Sequence, residues 1–194
     1  MTKDTQIITK ISEQFSYFLQ NIPETNEVPR FYSEKDGLFF ASPNYWTCGF
    51  PAGSLWYLYE LTGDYKWKDS ATLNTLKLDE AKNRTNTHDL GFLIFCSFGN
   101  AYRITQIEEY KDVIIEASDT LIKRFNNRVG CIRSWDHGTW QYPVIIDNLM
   151  NLEMLFWASD ITGNKTYRDI ALSHADLTMQ DHYRSDGSCY HLVD

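Results

Sequence analysis

The stretch LWYLYELTGDYKWKD, residues 55–69, joins an apolar run, a threonine followed by glycine, and then an aromatic residue, a lysine and an aspartate. The same signature returns twice. Thr62 leads to Trp67, Lys68 and Asp69, Thr105 to Tyr110, Lys111 and Asp112, and Thr162 to Tyr167, Arg168 and Asp169; Leu61, Ile104 and Ile161 stand immediately ahead of the threonines. Successive threonines are 43 and 57 residues apart. That interval fits one helical hairpin per unit and is too short for a βαβ pair with its own sheet.

Working outward, each threonine marks a turn between two kinds of helix. Before it run apolar segments, Leu55–Leu61, Leu90–Ile104 and Val144–Ile161, which read as inner helices buried on most sides. After it, Tyr65–Leu78, Glu109–Arg124 and Tyr167–Met179 mix charged and apolar residues at helical spacing, as outer amphipathic helices do. Gly63 and Gly163 occupy the place where a helix stop takes a left-handed residue, and Pro143 stands where a third inner helix can begin. No strand alternation competes with this pattern. The expected fold is all-α, a toroid or solenoid whose inner helices form a ring around a mouth. Three hairpins are visible, within one domain over residues 1–194.

The composition narrows the function. With 43% hydrophobic residues in 194, the chain can bury a substantial core, and its net charge of -8 disfavours a nucleic-acid backbone or an anionic membrane as partner. Cys48, Cys96, Cys131 and Cys189 are widely spaced and form no C-x-x-C pair, so they read as buried reduced thiols. Residues 1–20 lack a basic start followed by a long apolar run, and Leu90–Phe98 is too short to span a bilayer, so the chain reads as soluble without an assigned compartment. Aromatic residues make up 15% of the chain, and several lie among polar neighbours, a composition that suits the faces and hydroxyl rim of a sugar. The same rings also serve to fill space between helices.

The repeat further aligns three polar or amphipathic residues. Trp46 lies 16 residues before its threonine, Asp89 16 and Asp147 15, which sets them at one level of successive inner helices. At the helical rise this is roughly 24 Å from the turns, at the opposite mouth. Asp89 alone, following Asn86, Thr87 and His88, reads equally well as an acidic residue stabilising a helix start. Asp147 sits between Val144–Ile146 and Leu149–Met150, where an unpaired carboxylate is costly to bury. Two carboxyls in a partly desolvated mouth allow one to keep a proton, which makes Asp147 the expected donor and Asp89 its charged neighbour. Spacing alone does not name the reaction, since paired acids also serve ordinary glycosidases.

The wording of several segments goes further. YWTCGFPAGSLWYLYELTGD (45–64), THDLGF (87–92), CSFGNAYRIT (96–105), IRSWD (132–136), YPVIIDNLMNLEMLFWA (142–158) and SCYHLVD (188–194) resemble the unsaturated glucuronyl hydrolases, family 88 of the glycoside hydrolases. The resemblance implies an (α/α)6 toroid, of which this chain supplies the N-terminal half, and no cofactor or metal. It implies a substrate: an oligosaccharide left by a polysaccharide lyase, ending in an unsaturated uronic acid. It also implies vinyl ether hydration, in which a carboxylic acid protonates carbon 4, cationic character develops at carbon 5, water adds there and the hemiketal opens. By position, Asp147 matches the family's general acid and base, Asp89 the second essential aspartate, His191 a substrate-contacting histidine, and Trp46 and Trp135 aromatic positions of the sugar pocket. His88 reads as structural.

Two other readings stay open at this point. The unsaturated rhamnogalacturonyl hydrolases share the toroid and the chemistry, and a non-catalytic helical scaffold would use the same aromatic concave face to bind a sugar. Loss of turnover on Asp147→Asn separates an enzyme from a scaffold.

Overall fold

The computed structural model describes residues 3–22 and 25–194. Seven α-helices dominate it: α1 (Lys3–Gln20), α2 (Gly49–Thr62), α3 (Tyr65–Leu76), α4 (Asn100–Thr105), α5 (Glu108–Ile122), α6 (Asn151–Thr162) and α7 (Lys165–Asp181). The second inner helix is compound: Gly91–Gly99 is π-helical and continues directly into α4. Inner α2, the π segment with α4, and α6 pack side by side, each backed by an outer partner, α3, α5 or α7.

The repeated threonine builds each corner. Thr62, Thr105 and Thr162 donate their hydroxyls to the carbonyls of Leu58, Ala101 and Ala158, and accept the amides of Asp64, Ile107 and Asn164 two residues on. The intervening residue is left-handed in all three, Gly63 at φ 69°, Gln106 at φ 58° and Gly163 at φ 74°. Asp64 and Asn164 then cap the following helices by accepting from Lys66 and Thr166 amides. The aromatic residues of the signature, Trp67, Tyr110 and Tyr167, all point inward: Trp67 is 1% exposed, Tyr110 stands edge-on to Phe98, and Tyr167 donates its hydroxyl to Asp119 at 2.6 Å. One signature thus specifies both a corner and the anchor of the outer helix.

Three departures from the sequence reading concern strands. Residues 28–41 form an antiparallel hairpin, β1 (Val28–Ser33) with β2 (Gly37–Ala41). Its alternation is hidden because the pairing slips between Pro29 and Phe31 and because Phe31, Tyr32 and Phe39 are exposed aromatics. The third inner helix does not begin at Pro143. Val144–Ile145 is a short strand, β5, paired with β6 (Leu192–Val193), and a 3-10 turn over Ile146–Met150 leads into α6. The β-branched run Val144–Ile146 favours extended backbone, and its partner lies far along the chain. Ahead of β5, β3 (Phe125–Asn126) and β4 (Cys131–Ile132) close the loop after α5.

The inner helices approach closely where α2 meets the π segment. A Cβ on Gly49 would lie 1.8 Å from the carbonyl oxygen of Phe92, and one on Gly53 2.6 Å from that of Cys96. The first neighbour is backbone and cannot swing away. Gly49→Ala is expected to lower stability by about 3 kcal/mol, the upper end of ordinary overpacking, measured as a shift of the urea midpoint. Among the described residues no helix is long and apolar enough to cross a membrane.

Candidate active site

Trp46, Asp89 and Asp147 stand at the ends of the inner helices opposite the threonine corners, as the repeat predicts. Asp89 lies in the loop entering the π segment, and its Oδ2 accepts the Thr87 hydroxyl at 2.5 Å. Asp147 rides on the 3-10 turn between β5 and α6. That turn carries it outward, so its side chain is 36% exposed against 20% for Asp89. The expected cost of burying Asp147 therefore does not arise.

What joins the two carboxylates is His88, which the sequence reading placed among structural residues. Its side chain is 4% exposed, with Nε2 3.0 Å from Asp147 Oδ1 and 3.6 Å from Asp89 Oδ1. Nδ1 lies 2.8 Å from the Ser134 carbonyl oxygen. Asp147 has Oδ1 on this ring, whereas Asp89 is held at Oδ2 by Thr87 and keeps Oδ1 3.6 Å from the imidazole, beyond hydrogen-bond distance. Asp147 is the more exposed of the two carboxylates and Asp89 the more buried. One ligand atom each from His88, Asp89 and Asp147 lies within 4.8 Å of the others, a spacing a divalent cation also accepts. The direct Nε2···Oδ1 contact accounts for the arrangement without one.

The remaining candidates surround this trio at different distances. Trp135 is carried by the loop after β4, where its backbone bridges Thr87, and its ring lies against His137 and Trp140. His191 donates no side-chain hydrogen bond to the trio, but its carbonyl accepts the Ile146 amide at 2.9 Å, one residue before Asp147. The Trp46 ring is 41% exposed and packs on Phe50 and on Phe92, three residues past Asp89. Below the site a groove of about 570 Å³ follows the inner helices, lined by Phe92, Phe95, Met150 and Trp157 among others.

Two residues behind the site were not legible in the sequence. Arg124, 8% exposed, forks onto Asp136 at 2.9 and 3.1 Å, donates Nε to the Arg133 carbonyl at 2.8 Å and also reaches the Thr85 carbonyl. Hydrogen bonding to that guanidinium holds the Asp136 carboxyl below its usual range. His174, fully buried on α7, accepts the Ile132 amide at Nδ1, and its Nε2 has no hydrogen-bond partner among the described residues. Burial, with smaller repulsion from His182 and His88, pushes its pKa down from 6.5 to about 4. The unfolded chain therefore binds this proton below about pH 6.5 while the folded chain refuses it until about pH 4. Stability contributed by neutral His174 is intact above pH 6.5 and is lost as the pH falls toward 4, by about 3 kcal/mol in total. Urea titrations at stepped pH check this: His174→Asn, which keeps an acceptor for Ile132, should flatten the slope between those values.

No protein-family model matches the sequence. Named proteins do. The chain is 46% identical over 151 residues to the unsaturated glucuronyl hydrolase of Formosa agariphila, covering 76% of this chain and 38% of that protein. The crystal structure of an unsaturated glucuronyl hydrolase specific for heparin superposes with a TM-score of 0.89 at 44% identity, covering 93% of this chain and 48% of the other. A mutant Streptococcus agalactiae enzyme, solved in complex with dGlcA-GalNAc6S, matches with a TM-score of 0.70 at 29% identity, over 86% of this chain and 40% of its own. The chain spans less than half the length of these relatives. The arc of paired inner and outer helices is part of an α/α toroid, and the chain belongs to the unsaturated glucuronyl hydrolase family.

Proposed function

We propose that this chain carries the acid–base centre of a hydrolase that releases an unsaturated uronic acid from the non-reducing end of lyase-generated oligosaccharides by hydrating its vinyl ether. The observation that carries this reading is the asymmetry of the carboxyl pair: Asp147 is a third exposed and hydrogen-bonded to the His88 imidazole, and Asp89 is the more buried and takes the Thr87 hydroxyl. Asp147 gives its proton to carbon 4, and the C4=C5 π electrons form the new C–H bond. Positive character then develops at carbon 5, shared with the ring oxygen, next to the fixed charge of Asp89. Water adds to carbon 5 and returns a proton to Asp147, and the resulting hemiketal opens to release the remaining sugar.

Trp46, Trp135 and His191 are proposed to line the sugar subsite, and no metal or other cofactor takes part. Residues 1–194 are proposed to form one domain, part of the toroid. The relatives named above supply the substrate class; the aromatic rings around the trio supply faces on which a pyranose can stack.

The test is optical. Lyase-generated unsaturated disaccharides lose the ultraviolet absorbance of their conjugated double bond when hydrated. The protein is expected to bleach at least one of a panel from glycosaminoglycans and other uronic-acid polymers. Folded protein that leaves the whole panel unchanged would overturn the proposal for this chain.

A further inference from the structure

His88 meets three oxygen acceptors: the Ser134 carbonyl at Nδ1, and Asp147 Oδ1 and Asp89 Oδ1 at Nε2. A backbone carbonyl only accepts, so Nδ1 carries a hydrogen. Nε2 then has two arrangements open to it. Either it bears a second hydrogen and donates to the Asp147 carboxylate, or it accepts a hydrogen from protonated Asp147. A bare nitrogen lone pair facing a bare carboxylate at 3.0 Å, on a ring 4% exposed, would set two acceptors against each other where little water can intervene.

We infer that His88 is a positioning residue that stores the proton Asp147 delivers: one hydrogen is shared between Nε2 and Oδ1, and the Ser134 carbonyl locks the tautomer from the far side of the ring. The location of the hydrogen rests on geometry alone; its use in turnover rests on the hydration reading. With that hydrogen in place the trio of His88, Asp89 and Asp147 carries one net negative charge. A half-turn of the Asp147 carboxyl about Cβ–Cγ presents the hydrogen to the mouth, where it passes to carbon 4. The proton released by the attacking water refills the Nε2···Oδ1 position, so the cycle closes without another acid.

The surrounding charges are few. Arg84 stands on the Asp89 side, its pKa pushed down by burial and pulled back up by that carboxylate. His174 and His182 lie toward α7, and the Arg124–Asp136 pair lies beyond the Ser134 loop. His174 stays neutral near pH 7, since its pKa is about 4. His174 thus adds no cation on that side near neutral pH.

Nitrogen NMR of the protein labelled in its five histidines decides the point. In the parent at neutral pH, His88 Nδ1 is expected to be protonated and Nε2 to resonate upfield, toward the protonated position. In Asp147→Asn the amide donates to Nε2, which should shift downfield to the bare-nitrogen position while Nδ1 keeps its hydrogen. A histidine that only fills space would show the same Nε2 resonance in both proteins, and that result, or an unprotonated Nδ1, overturns the inference. In the absorbance assay, His88→Gln keeps a donor to Asp147 but holds no transferable proton, and should lower kcat about 10²-fold with KM little changed. A His88→Gln enzyme with parental kcat also overturns the storage role. Failure of the hydration reading would show instead as a silent parent with the NMR pattern intact.

Discussion

Asp147→Asn is expected to reduce the hydration rate by about 10²- to 10⁴-fold, the range for loss of a general acid, with the folded structure unchanged. The substitution is nearly isosteric, and the amide can donate to His88 Nε2 because the opposite nitrogen already gives its hydrogen to Ser134. The contact at 3.0 Å is therefore retained and the urea midpoint should barely move. What disappears is the ability to give a proton and take one back, so the loss belongs in kcat. A KM rise with kcat preserved would show that Asp147 only binds the sugar. The absorbance assay, run to saturation on the best substrate of the panel, separates these outcomes.

Arg124→Leu is the second large effect, and it acts on stability. The guanidinium is buried and satisfies the Thr85 and Arg133 carbonyls as well as Asp136. Leucine fills much of the space and serves none of these acceptors. Because Asp136 is half-exposed and can turn to water, the main cost is the two orphaned carbonyls, about 3 kcal/mol in total. The damage should also reach the site. Thr85 leads the loop bearing Thr87, His88 and Asp89, while Arg133 precedes Ser134 and Trp135. Amide hydrogen exchange should show faster opening at residues 85–89 and 133–136, with the α2–α3 hairpin unaffected.

How far the sequence could be read follows from the distance over which each feature is encoded. The threonine corners were legible because every partner, the carbonyl four residues back and the amide two residues on, is local. The repeat then aligned Asp89 with Asp147 by counting alone, and the structure places both at the predicted ends of their helices. Strand β5 was misread as helix because its partner, β6, lies nearly fifty residues away and leaves no local trace. The π segment was hidden for a different reason: Leu90–Phe98 is almost wholly apolar, so no period distinguishes one helix type from another. The role of His88 is the hardest to see. The Ser134 carbonyl against its Nδ1 is 46 residues off and is a backbone atom, which no side-chain pattern reports.

The β5–β6 pairing has a consequence during synthesis. The first two hairpins are complete once α5 has been made, and the Ile146 amide just past β5 also emerges early, yet its acceptor, the His191 carbonyl, follows some 45 residues later. At translation rates of about 5–20 residues per second this is a delay of roughly 2–9 s, during which the segment bearing Asp147 waits without its anchor. The segment bearing Asp147 therefore gains its strand partner only after the first two hairpins and α6 have been made.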